Sequence, residues 1–280
     1  MPHEFWKVIP SGNPTILLRA EDVPAPRRAF VANAVMDAQH IGGEQVGYVR
    51  LGGTPRLDMM GGEFCLNATR AFASVLDSLG LLEREGDTSH GLVEVSGVDE
   101  KVAVRVRHGE GLPIAEACLH FDALPVPEVL DGNTCIVRVP GITHIVQRGT
   151  VPAPASLEPF CTEQRHSLSL GEEEAVGHLW LEDKQEGGTA DGETKTLGLA
   201  PVVWVRATAT LCYESACGSG TLACALAEHA RSGATCFNIV QPSGTPLSVR
   251  MERNGNGWDI WVGGPSRIAA SGMADLSGIL

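Results

Sequence analysis

The nine residues Cys217-Gly218-Ser219-Gly220-Thr221-Leu222-Ala223-Cys224-Ala225 have an echo 152 residues earlier, Cys65-Leu66-Asn67-Ala68-Thr69-Arg70-Ala71-Phe72-Ala73. Aligned without gaps, both stretches carry Cys, a small polar residue (Asn67 or Ser219), a tiny residue (Ala68 or Gly220), Thr, and Ala at two further matched positions. A chain of 280 residues could form one large domain or two of roughly 140, and the repeat favours two. Each copy opens a run of helix formers, which places each Cys at a helix start with the polar residue in the first turn. A helix N-terminus carries unpaired N–H groups and the positive end of the macrodipole, so it attracts anions and favours thiolate over thiol. Two such ends would supply one base and one acid to opposite faces of a small carboxylate-bearing molecule. A single copy would read instead as a small-residue helix start with a buried, inert Cys. The repetition of Cys, the polar residue, Thr and both Ala favours chemistry.

The whole chain sets wider bounds. Hydrophobic residues make up 43% and the mean hydropathy is +0.03, the balance of a soluble globular protein. No apolar run is long enough to span a bilayer, and Met1-Pro2-His3-Glu4 lacks the basic and apolar regions of a signal peptide, so the expected location is cytoplasmic. A net charge of −13 would repel nucleic acid and anionic membranes, which are therefore not expected as partners. An anionic substrate must then be held by local features such as helix N-termini. The eight cysteines are expected to be mostly reduced. None is spaced C-x-x-C, and Cys212, Cys217 and Cys224 lack zinc-ligand spacing, so no metal site is expected.

Taken in order, Glu4–Ile9 and Thr15–Arg19 read as strands around the turn Ser11-Gly12-Asn13-Pro14, in which Asn13 is a turn former or a substrate-facing amide. A helix is expected over Ala25–Ala38 with Pro24 and Pro26 near its first turn, followed by strands at Val46–Leu51 and Arg56–Met59. Gly61-Gly62-Glu63-Phe64 feeds the helix that starts at Cys65 and stops at Gly80, a layout that lets backbone approach an anion. Strands at Leu92–Ser96, Val102–Val106 and Ala115–Phe121 precede a Pro-rich stretch, Leu124–Pro127, that reads as a linker. In the second half Cys135–Val139 is strand-like and leads to a turn at Gly141 near His144. That histidine is an ordinary core or surface residue or a polar group poised by the turn. A helix over Ala155–Ser167, a solvated loop over Glu182–Thr196, and strands at Val202–Arg206 and Thr208–Tyr213 deliver the chain to Cys217. Its helix runs to about Arg231 before Gly233, and strands at Asn238–Val240, Leu247–Met251 and Trp258–Val262 follow.

At these residues the sequence resembles the diaminopimelate epimerase superfamily of cofactor-independent amino-acid racemases, built from two mirrored halves with one catalytic Cys on each. The family's C-G-N-G-x-R motif is matched at Cys, Asn and Arg by Cys65, Asn67 and Arg70. Its A-C-G-[ST]-G motif is matched completely by Ala216-Cys217-Gly218-Ser219-Gly220. The G-N-P-H turn is similar to Gly141-Ile142-Thr143-His144, the opening G-N-D to Gly12-Asn13-Pro14, a D-Q pair to Glu44-Gln45, and P-G-G-x-L-x-V to Pro242–Val249. The resemblance covers nearly the whole chain and implies an α+β fold. Each of two pseudo-symmetric halves would be a mostly antiparallel, barrel-like sheet wrapped around a central helix, with the active site in the cleft between them. The first domain would comprise residues 1–120 plus 266–280 and the second residues 121–265.

The same resemblance implies a two-base reaction in which Cys65 and Cys217 are catalytic and no cofactor or metal takes part. Asn13, Gln45, Leu66, Asn67, His144, Gly218 and Ser219 would bind a small amino-acid substrate, and Glu44 and Glu214 would tune the thiols. Oligomeric state stays open, a homodimer included. The Glu-Arg pair that grips the distal carboxylate in diaminopimelate epimerases falls on Thr208 and Ala209, or leaves Glu214 with no following Arg. Ile142 replaces the Asn of the G-N-P-H turn, and Pro201 stands near another expected Asn. A distal carboxylate would thus lose charge-assisted hydrogen bonds of roughly 1.5–3 kcal/mol each. The implied substrate is therefore not diaminopimelate, and the sequence looks more like the branch that includes histidine racemases of metallophore biosynthesis. Three other readings stand beside it: a diaminopimelate epimerase with altered distal-carboxylate recognition, an isomerase of the same fold using a carboxylate base, and a non-catalytic thiol or metal-binding protein.

Overall fold

A computed structural model of the chain describes residues 2–184, 194–206 and 209–279. The class is α+β, and the chain divides into two compact units, residues 1–119 with 263–280 and residues 120–262. Among the described residues no helix is long and apolar enough to cross a membrane.

The first unit opens with β1 (Pro2–Pro10) and β2 (Thr15–Arg19), an antiparallel pair. A 3-10 turn at Ala25–Arg27 leads into α1 (Arg28–Met36), after which β3 (Gln45–Arg50) lies parallel to β2 and β4 (Arg56–Met59) antiparallel to β3. After α2 (Leu66–Ser78) and the short β5 (Glu83–Glu85), β6 (Thr88–Val95) lies parallel to β4. β7 (Val102–Arg107) and β8 (Ile114–Phe121) then add antiparallel.

The second unit holds β9 (Glu128–Val129), β10 (Thr134–Val139), β11 (Ile142–Arg148), α3 (Pro154–Ser167), β12 (Ala175–Asp183), β13 (Thr194–Val205) and β14 (Thr210–Tyr213). It continues with α4 (Gly218–Ser232), β15 (Cys236–Val240), β16 (Pro246–Asn254) and the start of β17 (Gly257–Asp275). β10 and β11 are antiparallel, β12 is parallel to β11, β13 antiparallel to β12, β15 parallel to β13 and β16 antiparallel to β15.

From Gly263 onward β17 belongs to the first unit, where it pairs antiparallel with β1, from Pro2 opposite Asp275 to Pro10 opposite Ser266, and also pairs with β8. Strands β1, β2, β3, β4, β6, β7, β8 and β17 thereby close into an eight-stranded barrel in which each of them has a neighbour on both sides.

α2 packs against β1, β2, β3, β4 and β7, and every residue from Leu66 to Leu76 is buried. A helix buried all round must be apolar or internally satisfied on every side. Here Ala68, Ala71, Ala73 and Ser74 let backbone approach the strands while Phe72, Val75 and Leu76 fill the remaining space. Gly80, at φ +68°, takes the left-handed conformation that ends the helix. In the second unit α4 packs against β10, β11, β12 and β16, is buried from Gly218 to Leu226 apart from Ser219, and is ended by Gly233 at φ +74°.

Several boundaries differ from those expected. The helix expected over 25–38 is split into a 3-10 turn and α1, because Pro24 and Pro26 flank its start and no side chain caps it. β12 was not anticipated, and β11 occupies residues expected to form a turn around His144. Both strands are buried on both faces and so show no alternation to read. The unit boundary lies at 119/120, inside β8, so the Pro-rich stretch 124–127, read as a linker, falls within the second unit. Strands flank the loop expected over 182–196 up to Asp183 and from Thr194, and residues 185–193 lie outside the described residues, as does Thr208.

Candidate active site

Cys65 is the N-cap of α2, in extended conformation at φ −135° and ψ 110°, and its Sγ accepts the N–H of Ala68 at 3.4 Å. Cys217 is the N-cap of α4 at φ −127° and ψ 108°, and its Sγ accepts the N–H of Gly220 at 3.3 Å. Sulfur thus takes the role that a Ser or Asp oxygen ordinarily plays, satisfying one of the orphan first-turn donors. The shared Thr has a reason as well. Thr69 Oγ1 donates to Cys65 O at 2.8 Å and Thr221 Oγ1 to Cys217 O at 2.7 Å, closing each first turn from the opposite side.

Around Cys65 the polar residues form one network. The thiol donates to Gln45 Oε1 at 3.2 Å, Gln45 Nε2 donates to Thr15 Oγ1 at 2.7 Å, and Thr15 Oγ1 donates to the carbonyl of Asn13 at 3.1 Å. Asn13 itself is buried and sits at φ +50°, a turn conformation that Asn tolerates. Arg70 is completely buried. Its guanidinium donates to Ala115 O at 2.9 Å, Asn67 Oδ1 at 3.3 Å and Ser11 Oγ at 3.0 Å, so it fixes the Asn67 side chain in the first turn. Burial lowers the Arg70 pKa to about 10, against the opposing pull of Glu116 and Cys65, and it remains a cation at neutral pH. Glu44, next to Gln45, is exposed.

Around Cys217 the surroundings differ in charge. Cys217 is only 4% exposed, and burial raises its thiol well above the ordinary value. The Glu214 carboxylate, which hydrogen-bonds the sulfur, raises it further, while the Ser219 hydroxyl and the Gly220 N–H act the other way. At Cys217 desolvation and Glu214 thus work against the thiolate that the helix N-terminus favours. Ser219 Oγ lies 3.5 Å from the sulfur. Gly220 leaves room for the sulfur: a Cβ there would stand 3.1 Å from Cys217 Sγ and 3.0 Å from Leu179 Cδ2, so these side chains would have to give by a few tenths of an ångström.

His144 lies in the middle of β11, fully buried, and neither ring nitrogen has a hydrogen-bond partner among the described residues. An ideal Cβ on Gly177, opposite it in β12, would overlap the imidazole, so Gly177 makes room for the ring. Burial and the nearby His178 bring the His144 pKa down to about 3, which keeps it neutral. Of the readings the sequence left open, it is therefore a core histidine on a strand rather than a group on a turn. Gln241 was missed altogether, although it accepts the N–H of Cys217 at 3.0 Å. Its position immediately ahead of the Pro242–Val249 stretch was the available signal. Among the described residues, no group of three or more His, Cys, Asp or Glu is arranged to hold a metal.

This architecture is that of the epimerase and isomerase folds. A hydroxyproline epimerase from Agrobacterium vitis superposes with a TM-score of 0.64 at 11% identity, over 99% of this chain and 94% of that one. A phenazine biosynthesis PhzF-family protein from Enterococcus faecalis gives 0.58 at 15% identity, over 99% and 100%. More specifically, residues 3–274 match the histidine racemase CntK N-terminal domain family, and the chain belongs to that family. A histidine racemase from Fusobacterium nucleatum is 28% identical over 275 residues, 96% of this chain and 95% of the relative. The protein is an enzyme of the amino-acid racemase class.

Proposed function

We propose that this enzyme racemises free histidine, with Cys65 and Cys217 as its two proton-transfer groups and no cofactor. The observation that carries the reading is the repeated capping geometry, in which each sulfur is held on the first turn of a buried helix by the N–H three residues on. The family match and the Fusobacterium nucleatum relative support histidine as substrate. In sequence, the loss of the Glu-Arg pair and of the Asn residues that grip a distal carboxylate points the same way. We read the two units as paired halves of one fold, since the order antiparallel, parallel, antiparallel, parallel, antiparallel recurs along the strands of both.

In this mechanism one cysteine, as thiolate, takes the α-proton and the other, as thiol, returns one to the opposite face; the roles exchange for the other enantiomer. The positive ends of α2 and α4, with Leu66, Asn67, Gly218 and Ser219 in their first turns, stabilise the charge that develops on the substrate carboxylate. Cys65 donates to the Gln45 carbonyl, and Cys217 is buried beside Glu214. One thiol must therefore lose its proton before turnover, and kcat/KM is expected to climb from pH 6 to pH 9. A profile that is flat or falls with rising pH speaks against a thiol base.

The decisive experiment is α-proton exchange in D2O, followed by NMR, with L-histidine, D-histidine and diaminopimelate. Exchange and inversion of histidine, with inversion lost in both Cys65→Ser and Cys217→Ser, is the expected result. Full racemisation by Cys217→Ser would remove the two-base mechanism, and exchange with diaminopimelate alone would reassign the substrate.

A further inference from the structure

The structure assigns Gln241 as the positioning residue for Cys217, an inference that rests on the two-cysteine reading above. Gln241 follows β15 directly and is 3% exposed. Its Oε1 accepts the backbone N–H of Cys217 at 3.0 Å, and its Nε2 donates to Thr221 Oγ1 at 3.0 Å and to Ile239 O at 2.9 Å. Thr221 Oγ1 passes its own proton to Cys217 O at 2.7 Å. One amide therefore holds both backbone polar groups of Cys217, the N–H directly and the carbonyl through the threonine hydroxyl. Both amide protons and the amide oxygen are engaged, so only one orientation of the Gln241 amide satisfies all its neighbours.

Gln241 is itself anchored. Its backbone N–H donates to Thr245 O at 3.2 Å and its carbonyl accepts from Gly244 at 2.8 Å, a closed turn. The same turn reaches the cysteine loop a second time, where the Ser243 N–H donates to Ser215 O at 2.9 Å. With its backbone fixed, the Cys217 sulfur keeps a single rotatable bond, χ1, and the Gly220 N–H sets that. The residue that follows β6 in the first unit does a related but weaker job. Ser96 Oγ accepts from Met59 N at 2.9 Å and donates to Glu63 O at 2.7 Å, so it holds the loop ahead of Cys65 rather than the cysteine. Cys217 thus has its backbone held by one amide side chain, whereas the amide that reaches Cys65, that of Gln45, meets its sulfur.

A small misplacement of a reacting atom lowers turnover far more than binding. Gln241→Met keeps the length and removes the hydrogen bonds; it is expected to lower kcat for histidine racemisation about 100-fold with KM within about twofold. Gln241→Glu keeps an oxygen for the Cys217 N–H and is expected to retain more activity than Gln241→Met. In D2O, inversion of both enantiomers should fall while α-proton exchange of the enantiomer deprotonated by Cys65 persists, because that step does not use Cys217. Exchange and inversion falling together, or wild-type kcat in Gln241→Met, would overturn the assignment. Iodoacetamide labelling read by peptide mass spectrometry gives an answer without substrate: Cys217 should label faster in Gln241→Met and Cys65 at its original rate. Equal Cys217 labelling in both proteins counts against the assignment. If the unsubstituted enzyme fails to exchange histidine, the substrate reading falls and the labelling alone decides for Gln241; the Gln241→Glu protein serves both readouts should Gln241→Met not fold.

Discussion

Cys217 and Gly220 illustrate how tightly a single atom can be specified. Helix propensity alone would make Gly220→Ala favourable by about 1 kcal/mol, and Ala68 already occupies the matching place three residues after Cys65. Yet the added methyl would crowd the sulfur and Leu179. The expected outcome is a thermal stability within about 1 kcal/mol of the parent and a turnover reduced roughly tenfold, measured by calorimetry and racemisation assay; unchanged turnover would mean the sulfur has room to spare. The buried histidines make a prediction of the opposite kind, about stability. His144 and His178 have pKa values lowered from 6.5 to about 3, mainly by burial, so the native state refuses protons that the unfolded chain takes up below pH 6.5. Their contribution is complete above that pH and falls as pH drops toward 3, about 2 kcal/mol for each between pH 7 and pH 5. Urea midpoints at the two pH values test this, and His178→Gln should remove about half of the difference. At this scale the sequence revealed the capping cysteines, because they recur in matched surroundings. It did not reveal Gln241, since a lone Gln before Pro reads as turn, and it left His144 open between an ordinary core or surface residue and a polar group poised by a turn.

The strands and helices show the same division between what repeats and what does not. α2 and α4 were legible because each is bounded by Cys at one end and Gly at the other, while β11 and β12, buried on both faces, carry no period-two pattern. Strands were expected at Trp258–Val262 and, in the first domain, over 266–280; β17 instead runs unbroken from Gly257 to Asp275. At Gly263 the Glu116 side chain comes so close that a Cβ would meet its Cγ at 2.5 Å, an approach that glycine allows. α4 carries a stabilising device near its end that the sequence did not suggest. Glu228 is 3% exposed and accepts from Arg148, from Arg231 at 3.0 Å and from Lys195 at 3.3 Å. Burial raises its pKa, but the hydrogen bonds and charges of Arg231 and Arg148 more than offset this and hold it at about 2. The stability it contributes is present above its unfolded pKa of 4.5 and is lost as pH falls toward 2, about 3 kcal/mol in all. Glu228→Gln should therefore be less stable at pH 7 and lose less on acidification, as denaturant titrations at pH 7 and pH 3 would show. A variant with the parent's stability at pH 7 would mark the cluster as energetically neutral.

For the molecule as a whole, two strands, β8 and β17, carry the backbone across the boundaries of its two compact units. The first unit is built from both ends of the sequence and the second from its middle. Removing residues 263–280 is expected to open the eight-stranded barrel along β1 and β8, leaving two unpaired edges and a protein that aggregates. A soluble, monodisperse 1–262 fragment on size-exclusion chromatography would show that closure is dispensable. The pairing of Pro2 with Asp275 and of Pro10 with Ser266 also sets an order of events during synthesis. Because the ribosome makes the amino end first, β1 must wait for nearly the entire polypeptide before its outer neighbour exists. The middle unit has all its strands in hand earlier, so the part of this enzyme translated first is the part whose architecture is completed last.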